Sequence, residues 1–524
     1  IKQKYAELLA ELAASRVDPV VEWLEAKGYK VERVDGSPMV AATVSKQDIL
    51  ALAELDAVGS ILLGGGQAAP SSNISTPTSR VPVVWSRGMN GSNVRLAIVE
   101  QGKINNTARN CLNVIETRDS SVGDWAHKSR VAAIAACNDG TLPGVAQGAQ
   151  IMDAGYPIGG TDVDAANALT WAVDVKLADV TNQSERILAP QTDTNLYYLD
   201  KFYDYKVRNF KFTAVVAAGN RDVTNNVGTP AKGWNVIAVG NAEDQNTAAW
   251  WDDKINETAI GSSYINPNTG VEKPEVAAPG TNINTVAGQG TGTSYAAPQV
   301  AGLAALLMQR NSNLKDMPMT VKAILMASAV HNLEGSKRLS DLDGAGGVDA
   351  ALADWIAQSV GGTNACIVPC WWNIAINDSN LPEPGPPPQA TNYLYRTFTA
   401  SRGERIRVVI SWFSAASADG VQDNLRTELN LHVQRPNGTV VQSSTSSANG
   451  FEIVDFTADA TGAFTIAIER LYLGAYNESG NTLGIAWVKL ATYLPEVRRN
   501  SGGWTSTIYV RNDGPTNWQG KVTF

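Results

Sequence analysis

Apolar positions along this chain recur in three textures, and each predicts a different kind of folded unit. Over residues 1–65 helical and strand periods alternate in short pieces. Asp18-Pro19 opens a helix whose apolar positions are Val20, Val21, Trp23 and Leu24. Tyr29 to Val34 and Met39 to Val44 read as strands, with Gly36 turning the chain between them. Ser45-Lys46-Gln47-Asp48 carries a carboxylate three residues after a Ser, which signals a helix start, and Ile49, Leu52 and Leu55 follow at helical spacing. Val58 to Leu63 predicts another strand. Gly64 to Ser72 is rich in Gly, Ala and Ser, the composition of an exposed linker. The expected boundaries are a small α/β unit over 1–65 and a linker over 66–80.

From 81 to 357 apolar strands alternate with helices. Val94 to Val99, Gln150 to Ala154, Thr213 to Ala217 and Asn235 to Val239 are the strand candidates, and helices are expected at His127, Val163, Leu196 and Ser294. This alternation predicts an α/β domain with a mainly parallel sheet flanked by helices. Pro382, Pro384, Pro386, Pro387 and Pro388 mark a stiff linker, placed over 358–390. Beyond it the pattern becomes short β runs, Arg405 to Trp412, Glu428 to Gln434, Glu452 to Thr457 and Ala463 to Ile468, with turns at Asn437-Gly438 and Thr461-Gly462. An all-β sandwich is expected over 391–495, and the segment 496–524 is expected to begin a further β module.

Composition narrows the function classes. Of 524 residues, 44% are hydrophobic and 18% charged, so a sizeable core can be buried and much of the polar surface must be uncharged. A net charge of −9 argues against a nucleic-acid partner, because such binding rests on neutralising phosphates with Lys and Arg. There is no basic run, zinc-ligand spacing or P-loop. The longest apolar run, Val300 to Met308, is about half of the ~20 residues a membrane span needs, so no transmembrane segment is expected. A chain that starts at Ile1 is expected to have a leader removed or lying upstream, and one that stops within a strand pattern at Phe524 is expected to continue. Four cysteines allow three pairings. Cys111 with Cys137 and Cys366 with Cys370 would suit an oxidising compartment, and four buried thiols are the alternative.

The chemistry concentrates in Gly290-Thr291-Gly292-Thr293-Ser294-Tyr295-Ala296-Ala297-Pro298-Gln299-Val300-Ala301-Gly302. Small residues precede a Ser, and an apolar helix begins at once, with Val300, Leu303, Ala304 and Leu307 as its buried stripe. A Ser there has its hydroxyl near the positive end of the helix dipole, where a developing oxyanion is stabilised. Pro298 is expected within the first turn, where N–H groups are spare. Any single Gly-Thr-Ser is far more often a helix cap than a nucleophile, so the length of the run carries the weight.

This run resembles the nucleophile motif of the subtilases, and the family's other blocks follow in its order. Val94-Arg95-Leu96-Ala97-Ile98-Val99-Glu100-Gln101-Gly102 resembles the strand that ends in the catalytic acid. His127 to Ala135 resembles the histidine helix, with Gly144-Val145-Ala146 as the turn after it. Val215-Val216-Ala217-Ala218-Gly219-Asn220 resembles the strand and turn that bear the oxyanion Asn. Lys273 to Gly280 and Gly344 to Ala350 also match. The resemblance implies a subtilisin-like fold and peptide-bond hydrolysis through an acyl-enzyme. Ser294 would attack, His127 would act as base, Glu100 would orient His127, and Asn220 would hold the oxyanion. Val180 to Arg186 resembles the strand lining the specificity pocket, so Ser184 and Glu185, with Ala217, Ala218 and Gly219, would contact substrate. Residues 1–65 resemble the family's propeptide, which would occupy its own enzyme's cleft and make the protein a self-processing zymogen. The later β region resembles the jelly-roll-like sandwich of long subtilases.

These resemblances imply a secreted or extracellular serine endopeptidase with protein or peptide substrates and no cofactor required for catalysis. Structural calcium has candidate ligands in Asp423, Asn424 and Asn430. No regular metal-ligand spacing supports them, and the metal content is unknown. Several residues depart from the family pattern. Glu100 stands where Asp is usual, with Asp124 as a second candidate acid. Lys128-Ser129 replaces Gly-Thr after the His, and Tyr295 replaces Met after the Ser. Glu185-Arg186 puts a charge pair, or an ordinary solvated pair, at the pocket. A weak or inactive homologue with a binding or assembly role at the cell surface is the alternative these departures raise. A third reading makes the β modules the working part, with Trp412, Trp504 and Trp518 exposed to a glycan. His331 and His432 are expected to be structural.

Overall fold

The computed structural model describes residues 17–33, 39–55, 57–58, 60–64, 75–186, 194–221, 224–248, 253–329, 339, 342–359, 370–377, 379–385, 391–471, 480–489 and 506–511. By contact density the chain forms two units, residues 1–69 with 492–524, and residues 70–491.

In the first unit a helix covers 17–26. Strands β1 (Val31–Arg33), β2 (Met39–Val44) and β3 (Ser60–Gly64) follow, with a helix Lys46–Ala53 between the last two. Ser45 caps that helix, its hydroxyl accepting from the Asp48 N–H, as the sequence signature requires. Val20, Val21, Leu24, Val40, Ile49 and Leu52 form its core. The strand Ser506–Arg511 lies between β2 and β3, antiparallel to both, so the sheet order is β1, β2, 506–511, β3. This differs from the expected further β module: the strand pairs within the first unit's sheet.

In the second unit an eight-stranded sheet organises residues 95–279. Its strands are β4 (Arg95–Gln101), β5 (Asn113–Thr117), β6 (Gln150–Tyr156), β7 (Val180–Gln183), β8 (Thr213–Ala217), β9 (Ile237–Glu243), β10 (Lys254–Ile255) and β11 (Val276–Pro279). The order is β10-β9-β8-β7-β4-β6-β5, with β11 also on β9, and every pairing is parallel except β10 with β9. Residues Val180–Gln183 and 213–216 of the central strands are buried in succession, so these strands are covered on both faces, as parallel strands with crossover helices must be. From β4 the chain goes one way to β5 and β6 and the other way to β7, β8 and β9. The topological switch point therefore lies between β4 and β7, and the crevice beyond their carboxyl ends is where such sheets bind ligands.

Two helices pass beside that crevice, Ala126–Ala136 and the longer Thr293–Arg310. The longer one is buried from Thr293 to Met308 except at Ser294, because Ala, Gly and Leu fill all sides of it. A short hairpin, β12 (Ile283–Thr285) with β13 (Gly288–Gly290), leads into it.

A β-sandwich completes the unit. One sheet orders β14 (Cys370–Ala375), β21 (Thr482–Lys489), β16 (Arg405–Trp412) and β19 (Phe451–Thr457). The other orders β15 (Thr391–Ala400), β20 (Gly462–Leu471), β17 (Leu429–Gln434) and β18 (Val440–Ser444). The sandwich thus begins at Cys370, ahead of the prolines, because β14 pairs with β21. Trp412 is fully buried in its core and donates to the Thr427 carbonyl, which removes it as an exposed glycan platform. Trp504 and Trp518 lie outside the described residues, as does His331.

The sandwich packs closely on the α/β part. Arg407, fully buried, donates to the carbonyls of Met326, Ala329 and Ala345 and pairs with Asp455. Gly484 lies so close to the helix Pro318–Ser328 that a Cβ would sit 2.4 Å from the Thr320 nitrogen. Cys111 and Cys137 form a disulfide. Cys370 is disulfide-bonded too, and Cys366 lies outside the described residues.

Candidate active site

β4 runs through the centre of the sheet and delivers Glu100 to the switch point with no exposed surface. Its Oε2 lies 3.0 Å from His127 Nδ1. That contact selects the tautomer with the proton on Nδ1 and leaves Nε2 as the base. His127 is at the second position of its helix, with a quarter of its side chain exposed. Burial depresses the imidazole's pKa, but the charge and hydrogen bond of Glu100, with further help from Glu185, outweigh this and raise it overall. Asp124 plays no part in the pair. Its half-exposed side chain faces Lys103 at 3.8 Å.

Lys128, where the family pattern has Gly, explains how the site tolerates a cation. The side chain is fully buried beneath the acid, and its ammonium donates to the Glu100 and Gly102 carbonyls at 3.3 and 3.2 Å. It pairs with Asp153 at 2.7 Å, and Arg109 bridges Asp153 to the Ile104 carbonyl. Burial lowers the lysine's pKa while Asp153, Glu100 and Glu185 oppose the fall. No motif in the sequence announces this support.

Ser294 occupies the first turn of the long helix, whose N-cap Gly292 has φ +138°. A Cβ at Gly292 would lie 2.9 Å from the Asn220 Nδ2, so only glycine fits. Tyr295 packs edge-on to the His127 ring at 5.7 Å and so brings this first turn against the histidine. The Ser294 hydroxyl donates to the Ser184 carbonyl at 2.6 Å. Having one proton, it does not donate to His127 in this arrangement. Pro298 is the sixth helical residue, beyond the first four spare N–H groups expected to excuse it. The bond it forgoes is the one to the Ser294 carbonyl.

Asn220 follows β8. Its Oδ1 accepts from the Thr293 N–H and hydroxyl at 3.0 and 2.9 Å, which fixes the amide's orientation with its NH₂ beside Gly292. Thr293 also accepts from the Gly219 N–H at 3.2 Å. The threonine is a brace that sequence reasoning did not single out.

The expected substrate contacts divide. Ser184 is nearly buried, held by Asn182, and offers its carbonyl to Ser294. Ala217 is half-buried at the end of β8. Ala218, expected to touch substrate, is fully buried, with its N–H on Val239 and its carbonyl on Gly228. Gly219 is committed to Thr293 and Ser263. These two residues position Asn220. Glu185, expected to contact substrate as part of a charge pair with Arg186 or to be an ordinary solvated residue, turns inward. Its Oε2 accepts from the Gln101 N–H at 2.9 Å and the Tyr156 hydroxyl at 2.7 Å.

The calcium candidates face separate partners. Asn430 donates to Glu469, and Asp423 meets Asp204. His432 bridges Ser443 and Glu469, a structural use. Among the described residues no helix is long and apolar enough to cross a membrane.

With this geometry in place, comparison with known proteins is informative. A profile described as the subtilase family matches residues 54–346. Alkaline elastase YaB of Bacillus sp. (strain YaB) is 28% identical over 295 residues, covering 53% of this chain and 71% of that protein. Minor extracellular protease Epr of Bacillus subtilis (strain 168) is 26% identical over 250 residues, covering 44% of this chain and 34% of that protein. The chain therefore spans about a third of Epr's length. Fervidolysin from Fervidobacterium pennivorans, a solved structure described as a keratinolytic enzyme related to subtilisin, aligns with a TM-score of 0.42 and 20% identity, over 76% of this chain and 59% of that one.

Proposed function

The chain belongs to the subtilase family, and from that premise we propose that it is a secreted serine endopeptidase, made as a self-processing zymogen. The observation that carries the reading is the buried Glu100–His127 pair at 3.0 Å, with Ser294 on the adjoining helix turn. In this reading the Ser294 hydroxyl leaves the Ser184 carbonyl and gives its proton to His127 Nε2 as it attacks the scissile carbonyl. Glu100 stabilises the resulting imidazolium. The Asn220 NH₂ and the Ser294 N–H take the charge of the tetrahedral oxygen, where loss of one such donor costs about 3 kcal/mol. His127 then protonates the leaving amine, and water releases the acyl group from Ser294. The chemistry needs no cofactor. Secretion is supported by the Cys111–Cys137 disulfide, which persists in oxidising compartments. The zymogen reading assigns residues 1–65 the propeptide role.

A serine-reactive organophosphorus probe, read by mass spectrometry on the purified chain, is expected to label Ser294 and to leave Ser294→Ala unlabelled. Labelling that survives the substitution would overturn the nucleophile. In the same preparation self-processing is expected to cut between about Leu63 and Ser79, and only when Ser294 is present. Mature material that still begins at Ile1 would remove the zymogen part of the reading.

A further inference from the structure

Glu185 lies two residues beyond β7, the strand next to β4, and its inward turn carries it across the switch point to Glu100. One side-chain atom from each of Glu100, His127 and Glu185 lies within 4.8 Å of the other two. Glu100 commits Oε2 to His127, while its Oε1 is buried with no hydrogen-bond partner among the described residues. The next backbone N–H along β4, that of Gln101, is taken by Glu185. An unpartnered carboxylate oxygen at full burial is costly, and so are two ionised carboxylates side by side. A carboxyl that keeps its proton relieves both, because it is a donor and carries no charge.

We propose that Glu185 is a positioning residue of the catalytic apparatus, which up to near-neutral pH keeps a proton and donates it to the free oxygen of Glu100, so that a single negative charge is held against His127 until Glu185 itself ionises. The inference rests on the peptidase reading above. Burial, and then the charge of Glu100, push the Glu185 carboxyl up to about 7. Every element around it contributes a group to the balance. Tyr156 on β6 stays neutral and donates, its own pKa pushed well up by burial and by Glu185. Lys128, on the histidine helix, is tied to Asp153 and adds a positive field under both carboxyls. Arg130, one turn on, lowers the imidazole's pKa from the Tyr295 side. Arg186, next in the chain, packs against Gly228.

The consequence is a pH effect with a definite sign. When Glu185 ionises, a second negative charge reaches His127 and stabilises the imidazolium. The base then becomes available only at higher pH. Glu185→Gln keeps a donor for Glu100 and an acceptor for Gln101 and Tyr156, but cannot ionise. Glu185→Leu removes the donor.

The test is an NMR titration of the His127 ring in the full chain carrying Ser294→Ala, with Glu, Gln or Leu at 185. Glu185→Gln is expected to lower the His127 pKa by about one unit. In the chain with Ser294 intact, Glu185→Leu is expected to lower kcat by roughly ten- to a hundredfold with little change in KM. Glu185→Gln should recover most of that loss and shift the acid limb of the kcat profile to lower pH. An unchanged His127 titration in Glu185→Gln, or a Glu185→Leu enzyme with wild-type kcat and pH profile, would overturn the proposal. Should Glu185→Leu not fold, the Glu and Gln titrations decide alone. Because the ring titrates whether or not peptides are cleaved, a shifted His127 in a protein without peptidase activity would defeat the peptidase reading and leave this one standing.

Discussion

Glu100 is one methylene longer than the aspartate usual at its position, and β4 holds it in place from both sides. Pairing with β6 and β7 prevents the strand from moving to suit another side chain. Glu100→Gln should leave the fold intact but present an amide N–H to His127 Nδ1, reversing the required hydrogen bond. Turnover is expected to fall about 10³–10⁴-fold, as when the acid is neutralised in other triads. Glu100→Asp falls short of the ring by roughly 1.5 Å, one carbon–carbon bond. It is expected to lose rate about ten- to a hundredfold, because the backbone is fixed for the longer acid. Asp124→Asn should be silent, since its side chain faces Lys103 and solvent. Steady-state kinetics of the three variants on one peptide check all of this, and activity lost in Asp124→Asn but kept in Glu100→Gln would reverse the assignment. Glu100, His127 and Ser294 could all be read from the sequence because each sits in a run whose neighbours are constrained. The direction of Glu185 could not be read, because it depends on what β6 and the histidine helix place beside it.

At the scale of elements, the interior strands were well marked by apolar runs. Thr213–Ala217 and Met39–Val44 match their expected limits, and Arg405–Trp412 does so in the sandwich. Strand ends extend past the apolar run where a polar residue still pairs, as Glu100 and Gln101 do at the end of β4. The critical junction is between the β12–β13 hairpin and the serine helix. Gly292 at φ +138° both turns the chain and leaves room for the Asn220 amide. Gly292→Ala would strain the backbone and push the Asn220 amide, the proposed oxyanion donor, aside. We expect kcat to fall on the order of 10²–10³-fold, comparable to removing the donor itself, with KM much less affected. A kcat within a few-fold of wild type would show that Asn220 does not hold the oxyanion.

At the scale of the whole second unit, the sandwich and the α/β part are built against one another. Pro382 and Pro384 lie between β14 and β15, already inside the β part, and do not separate two independent bodies. Asp204, on the helix Tyr198–Phe210, lies near Asp423, from the loop between β16 and β17; both are buried, and neither Asp423 oxygen has a hydrogen-bond partner among the described residues. Burial first, and for Asp423 the neighbouring Asp204 next, raise both carboxyls above their ordinary range. The folded protein thus holds protons that the unfolded chain releases from about pH 4 upward. Their contribution to stability is fully present below that pH and is lost as pH rises through the native values. Asp423→Asn should remove most of this loss. The variant's denaturation midpoint is expected to exceed wild type at pH 7–8 and to approach it at pH 4. A difference that does not change with pH would show that the two carboxyls do not hold their protons above the ordinary range.

The sequence by itself marked the α/β fold with its parallel sheet, and it singled out Glu100 and His127, which the structure brings together at the switch point, and Ser294 on the adjoining helix turn. The alternation of strands with helices separates the parallel sheet from the run of short β segments that follows it. Long runs of small residues around Ser294 and His127 record how closely the two helices approach each other. Tertiary structure alone decided the rest. Lys128 under the acid, Glu185 beside it, Thr293 behind Asn220 and Arg407 across the sandwich contact each join residues distant in the chain, and none carries a local signal. Nor could the sequence assign Ser506–Arg511 to the sheet of β2 and β3, because a strand's period specifies which face is apolar and not which edge it will join.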